Sequence, residues 1–177
     1  VFIAGLMIGT ALSFFLHYIF RVWQSRIRKK VDQPMRISLL SVAIMLLPLF
    51  ILLLVSGYRI TGGQHSRLVL LYGFLIFFGW MTSLILGMTF KTLPFIIWNK
   101  HYHDKAGLMK TPDPKTLMSD RLFMAMGISY LAGFMLFALG IFGGYTSLLK
   151  AGSIVLILAA VFYNLNVLKI WRHKPLV

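Results

Sequence analysis

The sequence contains no cysteine and no glutamate, and its only acids are Asp32, Asp104, Asp113 and Asp120. Without cysteine there are no disulfides, no thiolate metal centres and no cysteine nucleophile. All four aspartates fall between apolar runs, so no carboxylate lies at membrane depth. Proton pumps and ion-coupled transporters usually bury at least one such group, and that mechanism lacks its usual part here. No glycine-rich phosphate loop is present. Charge of either sign is scarce at 12% of 177 residues, while 59% are hydrophobic. A soluble domain runs nearer a quarter charged, so these proportions exclude an ordinary soluble fold.

What the sequence has instead is five long apolar stretches, roughly 2–20, 37–56, 68–98, 122–143 and 148–170. Each meets the length of about 20 residues that a helix needs to cross the hydrocarbon core. Within lipid the backbone must satisfy its own hydrogen bonds, and runs this long do so as helices. The fold class expected is therefore all-α: a polytopic transmembrane bundle of about five spans, forming a single domain. Its partner in every case is the lipid bilayer.

The net charge of +14 raises the question of nucleic acid. The basic residues cluster between apolar runs rather than on the face of a soluble core, which argues against it. Alternate loops divide them fifteen against three, the minority being Arg59, Arg67 and Lys150. The positive-inside rule then places the N-terminal end outside and the C-terminus in the cytoplasm. The chain opens at Val1 inside an apolar run, with no Met and no charged leader, and so reads as part of a longer protein.

The third stretch is too long for one span, at about 46 Å if wholly helical. Pro94 removes a backbone donor and crowds the Phe90 carbonyl, which predicts a break near Phe90. The span is then 68–90, with Lys91–Trp98 lying along the interface. Pro48 predicts a similar kink in the second span. Two prolines make 110–115 a rigid turn, after which Ser119 or Asp120 can cap the fourth span.

Few residues are candidates for chemistry. His17 is the only histidine within a span; it reads either as a neutral interfacial packing residue or as a cofactor-binding group, a heme ligand above all. His101 and His103 form a His-x-His pair beside Asp104, either a solvated interfacial loop or two ligands if the segment is extended. Lys91 is either a snorkelling lysine or a fixed cation facing an anionic group such as a lipid phosphate. Trp98 belongs at headgroup level. His65 and His173 have no partner in sequence. No catalytic residue and no metal site is indicated. Gly5 and Gly9, Gly73, Gly79 and Gly87, and Gly127, Gly133 and Gly140 suit close helix packing, and Asn164 and Asn166 suit hydrogen bonds across helices.

The segment 79–98, with Gly87, Lys91, Pro94, Phe95 and Trp98, followed by Asn99 to Gly107 and the turn 110–114, resembles bacterial membrane proteins related to heme-copper oxidase subunit I, the NnrS-like proteins included. The resemblance implies the C-terminal portion of a longer protein of the bacterial cytoplasmic membrane, linked to heme and to a respiratory electron-transfer complex. In such families, histidines within spans bind heme or copper about one turn upstream of the Gly-Trp pair. Here Tyr72 and Phe74 stand there. Three readings follow: part of such a respiratory protein, a non-catalytic subunit or assembly factor packed against other membrane subunits, or a small-molecule transporter, which Pro48 and Pro94 favour through broken spans.

Overall fold

The computed structural model describes residues 2–25, 32–60, 66–105 and 111–173. Outside these lie His65, Lys110 and the basic residues Arg26, Arg28, Lys29, Lys30 and Lys174. All regular structure among the described residues is helical: α1 (Phe2–Gln24), α2 (Gln33–Ile44), α3 (Leu46–Ile60), α4 (Ser66–Phe74), a π-helical segment (Leu75–Met81), α5 (Thr82–Tyr102), α6 (Asp120–Gly143) and α7 (Thr146–Trp171). Short 3-10 turns occupy His103–Lys105 and Pro114–Leu117. Five helical stretches are long and apolar enough to cross a membrane: Gly5–Val22, Gln33–Gly57, Ser66–Tyr102, Asp120–Gly143 and Thr146–Trp171. Large apolar side chains such as Phe14, Leu53, Ile128 and Ile154 stay mostly exposed. Water would penalise so much open apolar surface, whereas lipid covers it.

The two prolines act differently. Pro48 cannot donate to the Ile44 carbonyl, and α2 ends at Ile44, with only Met45 before α3. Met45 keeps right-handed helical angles, so the interruption is one residue long. The break expected near Phe90 is absent: α5 is helical from Thr82 to Tyr102 with Pro94 in its interior. Pro94 is buried, and α2 packs along this stretch of α5 at Gly87. Neighbouring helices commonly sustain a proline inside a membrane helix. Lys91–Trp98 thus continues the same helix without a break. The third stretch is one rod of 37 residues. Its irregularity lies upstream, at the π-helical segment.

That segment shifts the backbone pairing by one residue, with Thr82 N donating to the Phe77 carbonyl, and two polar side chains add bonds to its carbonyls. Thr82 Oγ1 donates to the Phe77 carbonyl at 2.8 Å, and Ser83 Oγ donates to the Gly79 carbonyl. The Phe78 carbonyl accepts from the Tyr130 hydroxyl of α6. A backbone carbonyl of the π-helical segment thereby takes part in a bond between helices.

Small residues bring the helices together, as expected at some positions and not at others. A Cβ on Gly87 would lie 2.9 Å from Pro34 O and Ser38 N of α2. One on Gly133 would lie 2.9 Å from Leu156 N, and one on Gly140 2.9 Å from Leu149 N, both in α7. Gly152 of α7 returns the approach against Phe137 N at 2.8 Å. Gly9 and Gly73 have nothing within 4 Å of such an atom, so they are not packing contacts here. The α6–α7 hairpin turns on Gly144 at φ 72, and Tyr145 N then donates to Gly140 O at 3.0 Å. That left-handed position suits glycine.

Two apolar clusters fill the bundle. One gathers Ile44, Ile51, Leu68, Leu71, Phe74, Leu75, Phe134 and Ile141, with Phe74 stacked on Phe134 and Phe137 at 5.5 and 4.8 Å. The other gathers Phe90, Leu117, Phe123, Met126 and Ile170, with Phe90 edge-on to Phe123 at 5.3 Å and to Tyr163 at 5.5 Å. The second cluster supports the end of the bundle where the polar side chains converge.

Candidate functional site

The start of α2, the end of α5, the turn 111–119, the start of α6 and the end of α7 meet at one end of the bundle. Five side-chain bonds tie them. Trp98 Nε1 donates to Pro112 O at 2.6 Å. Tyr102 Oη pairs with His173 Nε2 at 3.0 Å. Asn166 Oδ1 accepts from Ser119 N at 2.9 Å, and its Nδ2 donates to Ser119 O at 3.1 Å. Lys115 Nζ lies 2.7 Å from Asp32 Oδ1.

The turn itself is rigid for local reasons. Pro112 and Pro114 limit the backbone, Asp113 Oδ1 accepts from Lys115 N at 3.0 Å, and Thr116 Oγ1 donates to Asp113 O at 2.7 Å. Ser119 occupies the N-cap of α6, as expected, but its hydroxyl makes no capping bond. Its backbone is held by Asn166 instead. Asn164, by contrast, donates to Ala160 O of its own helix at 2.8 Å, so it does not bridge helices.

The start of α2, the Phe90–Phe95 stretch of α5, the 114–118 turn and the start of α6 line a cavity of about 360 Å³, with Phe90, Pro94, Phe95 and Met118 on its apolar wall and, among the described residues, Asp32, Lys91, Lys115 and Asp120 as its charged groups. The charges are not equivalent. Asp32 and Lys115 are a mutual pair. Lys91 Nζ is 3.6 Å from the Met35 sulfur, a weak acceptor. Neither Lys91 nor Asp120 has an opposite-charge partner among the described residues. Two further grooves are almost wholly apolar: one against α3, α4 and α6, the other between α4, the π-helical segment and α6. Such lining suits lipid tails and offers no reactive group.

The other sequence candidates do not converge. His17 is exposed on α1 and has no hydrogen-bond partner among the described residues. His101 Nδ1 is 2.9 Å from Ile97 O, one turn back in its own helix. His103 is exposed and keeps helical backbone angles, φ −55 and ψ −50. Two residues apart on helical backbone, His101 and His103 point in different directions, which removes the two-ligand reading. Phe74 is buried in an aromatic stack. No group of three or more potential ligands assembles among the described residues.

Sequence reading singled out Lys91 but missed Asp32, Lys115 and Asp120 as its neighbours. Asp32 and Lys115 are 83 positions apart, and no local pattern signals their pairing. Nor was the Tyr102–His173 contact foreseen. The fold and this end-of-bundle site define a multi-pass α-helical membrane protein. No family model, no curated protein and no solved structure matches the chain.

Proposed function

We propose that this chain is a non-catalytic helical scaffold of the bacterial cytoplasmic membrane, acting within or beside a respiratory electron-transfer complex. The observation that carries the reading is how the 79–98 segment spends its side chains. Gly87 admits α2, Pro94 is buried, and Trp98 holds the Pro112 carbonyl. Those positions support packing, and only Lys91 among them presents a charge to a cavity. The resemblance to heme-copper oxidase subunit I-like proteins supplies the respiratory setting, and the donor set of these helices favours a supporting role over a metal-bearing one. Broad exposed apolar faces on α1 and α6 suit contact with further membrane subunits as well as lipid.

The test is purification from native membranes in mild detergent, with subunits identified by mass spectrometry and heme measured by absorption. Co-purification with respiratory subunits, and heme that is unchanged by His17→Ala, is the expected result. A protein that migrates alone, and whose removal leaves respiratory activity intact, would refute the scaffold role. Loss of heme with His17→Ala would move the chain to the metal-bearing reading.

A further inference from the structure

We infer that the cavity beside Lys91 and Asp120 is a binding site for a phospholipid whose headgroup carries both a phosphate and a primary amine, the phosphatidylethanolamine type. This goes beyond the scaffold reading and does not depend on it.

The charge pattern selects the headgroup. With Asp32 and Lys115 paired at 2.7 Å, the remaining charges on the cavity among the described residues are one ammonium, Lys91, and one carboxylate, Asp120. A purely anionic headgroup would satisfy Lys91 and be opposed by Asp120. A zwitterion satisfies both. Its phosphate accepts from Lys91 Nζ, displacing only the weak contact to the Met35 sulfur at 3.6 Å. Its ammonium donates to the Asp120 carboxylate. A quaternary amine has no N–H to donate there, which disfavours the choline headgroup.

Shape and position select a lipid over a soluble zwitterion. The cavity joins its charged groups to an apolar wall of Phe90, Pro94, Phe95 and Met118. Phe95 and the next residue, Ile96, are exposed large hydrophobics on the outside of α5. An acyl chain leaving the cavity can therefore run down that face in the bilayer. The cavity lies where α2 and α6 begin, beside α5, and headgroups lie at the ends of membrane spans. At about 360 Å³ it takes a headgroup and the first part of the glycerol, with the tails outside.

The test uses the full chain in detergent, with native mass spectrometry of retained lipid after exposure to equimolar phosphatidylethanolamine, phosphatidylcholine and phosphatidylglycerol. The ethanolamine lipid is expected to be retained about tenfold over either competitor, as one charge-assisted hydrogen bond implies. Lys91→Gln is expected to lower retention of all phospholipids. Asp120→Asn is expected to abolish the preference for ethanolamine while leaving phospholipid binding in place. The readout of Asp120→Asn is a ratio within one folded population, so partial loss of protein does not mimic it. Equal retention of the three lipids by the unmodified chain would overturn the proposal. So would preference for the glycerol headgroup, retention unaffected by Lys91→Gln, or a selectivity untouched by Asp120→Asn. Displacement of the lipid by millimolar phosphoethanolamine alone would point to a soluble zwitterion and overturn the lipid assignment.

Discussion

Asn166 of α7 holds both backbone polar groups of Ser119, accepting from its N–H at 2.9 Å and donating to its carbonyl at 3.1 Å. Asn166 is fully buried, so its amide has no water to turn to. One side chain thereby fixes where α6 begins and docks α7 against the 111–119 turn. Asn166→Leu keeps the volume close and removes both bonds, stranding buried backbone groups. The expected loss is about 2–3 kcal/mol. Reversible denaturation in mixed micelles measures it, and a loss below about 0.5 kcal/mol would show that the two bonds are dispensable.

Glycine positions separate into crossings and bystanders. Gly87→Val places a side chain against Pro34 O and Ser38 N, backbone atoms that cannot step aside. Overpacking of this kind typically costs about 1–3 kcal/mol, and more where backbone must move. Gly9→Ala meets nothing within 4 Å and is expected to be neutral or slightly stabilising. Fluorescence-detected size exclusion after a heating series compares the two directly. Equal behaviour would contradict the close α2–α5 crossing.

Tyr130→Phe deletes the hydroxyl that the Phe78 carbonyl accepts from, without changing the ring. Hydrogen bonds between membrane helices average about 0.6 kcal/mol, so the expected cost is roughly 0.5–1.5 kcal/mol. The same denaturation experiment reads it. A cost near zero would mean that the π-helical segment finds another donor for that carbonyl.

The absence of cysteine makes orientation testable with single introduced thiols. Asp104 and Ser147 are both exposed and lie at opposite ends of the bundle, after α5 and at the start of α7. The basic bias predicts that Asp104→Cys is shielded in intact cells and Ser147→Cys is labelled by a membrane-impermeant maleimide. Labelling of Asp104→Cys alone would invert the topology.

Much of the architecture was legible because membrane burial writes itself into length and composition. Five runs of apolar residues sufficed for five helices. Pro94 misled for the complementary reason. A proline's local effect is a lost donor and a crowded carbonyl, but whether the helix yields depends on what packs beside it. Here α2 lies across Gly87, and α5 continues. The glycines could not be sorted either, since a small residue signals permission for close approach and not the approach itself.

The sequence by itself determined that this is a helical membrane protein with its basic residues gathered between spans, because hydrophobicity and charge act residue by residue and need no partner. It also singled out Lys91. What only the tertiary structure decided is what Lys91 faces: a cavity shared with Asp120 and with an Asp32–Lys115 pair drawn from distant loops. Charge complementarity is a property of positions in space, and residues 83 apart acquire it only when the helices between them have packed.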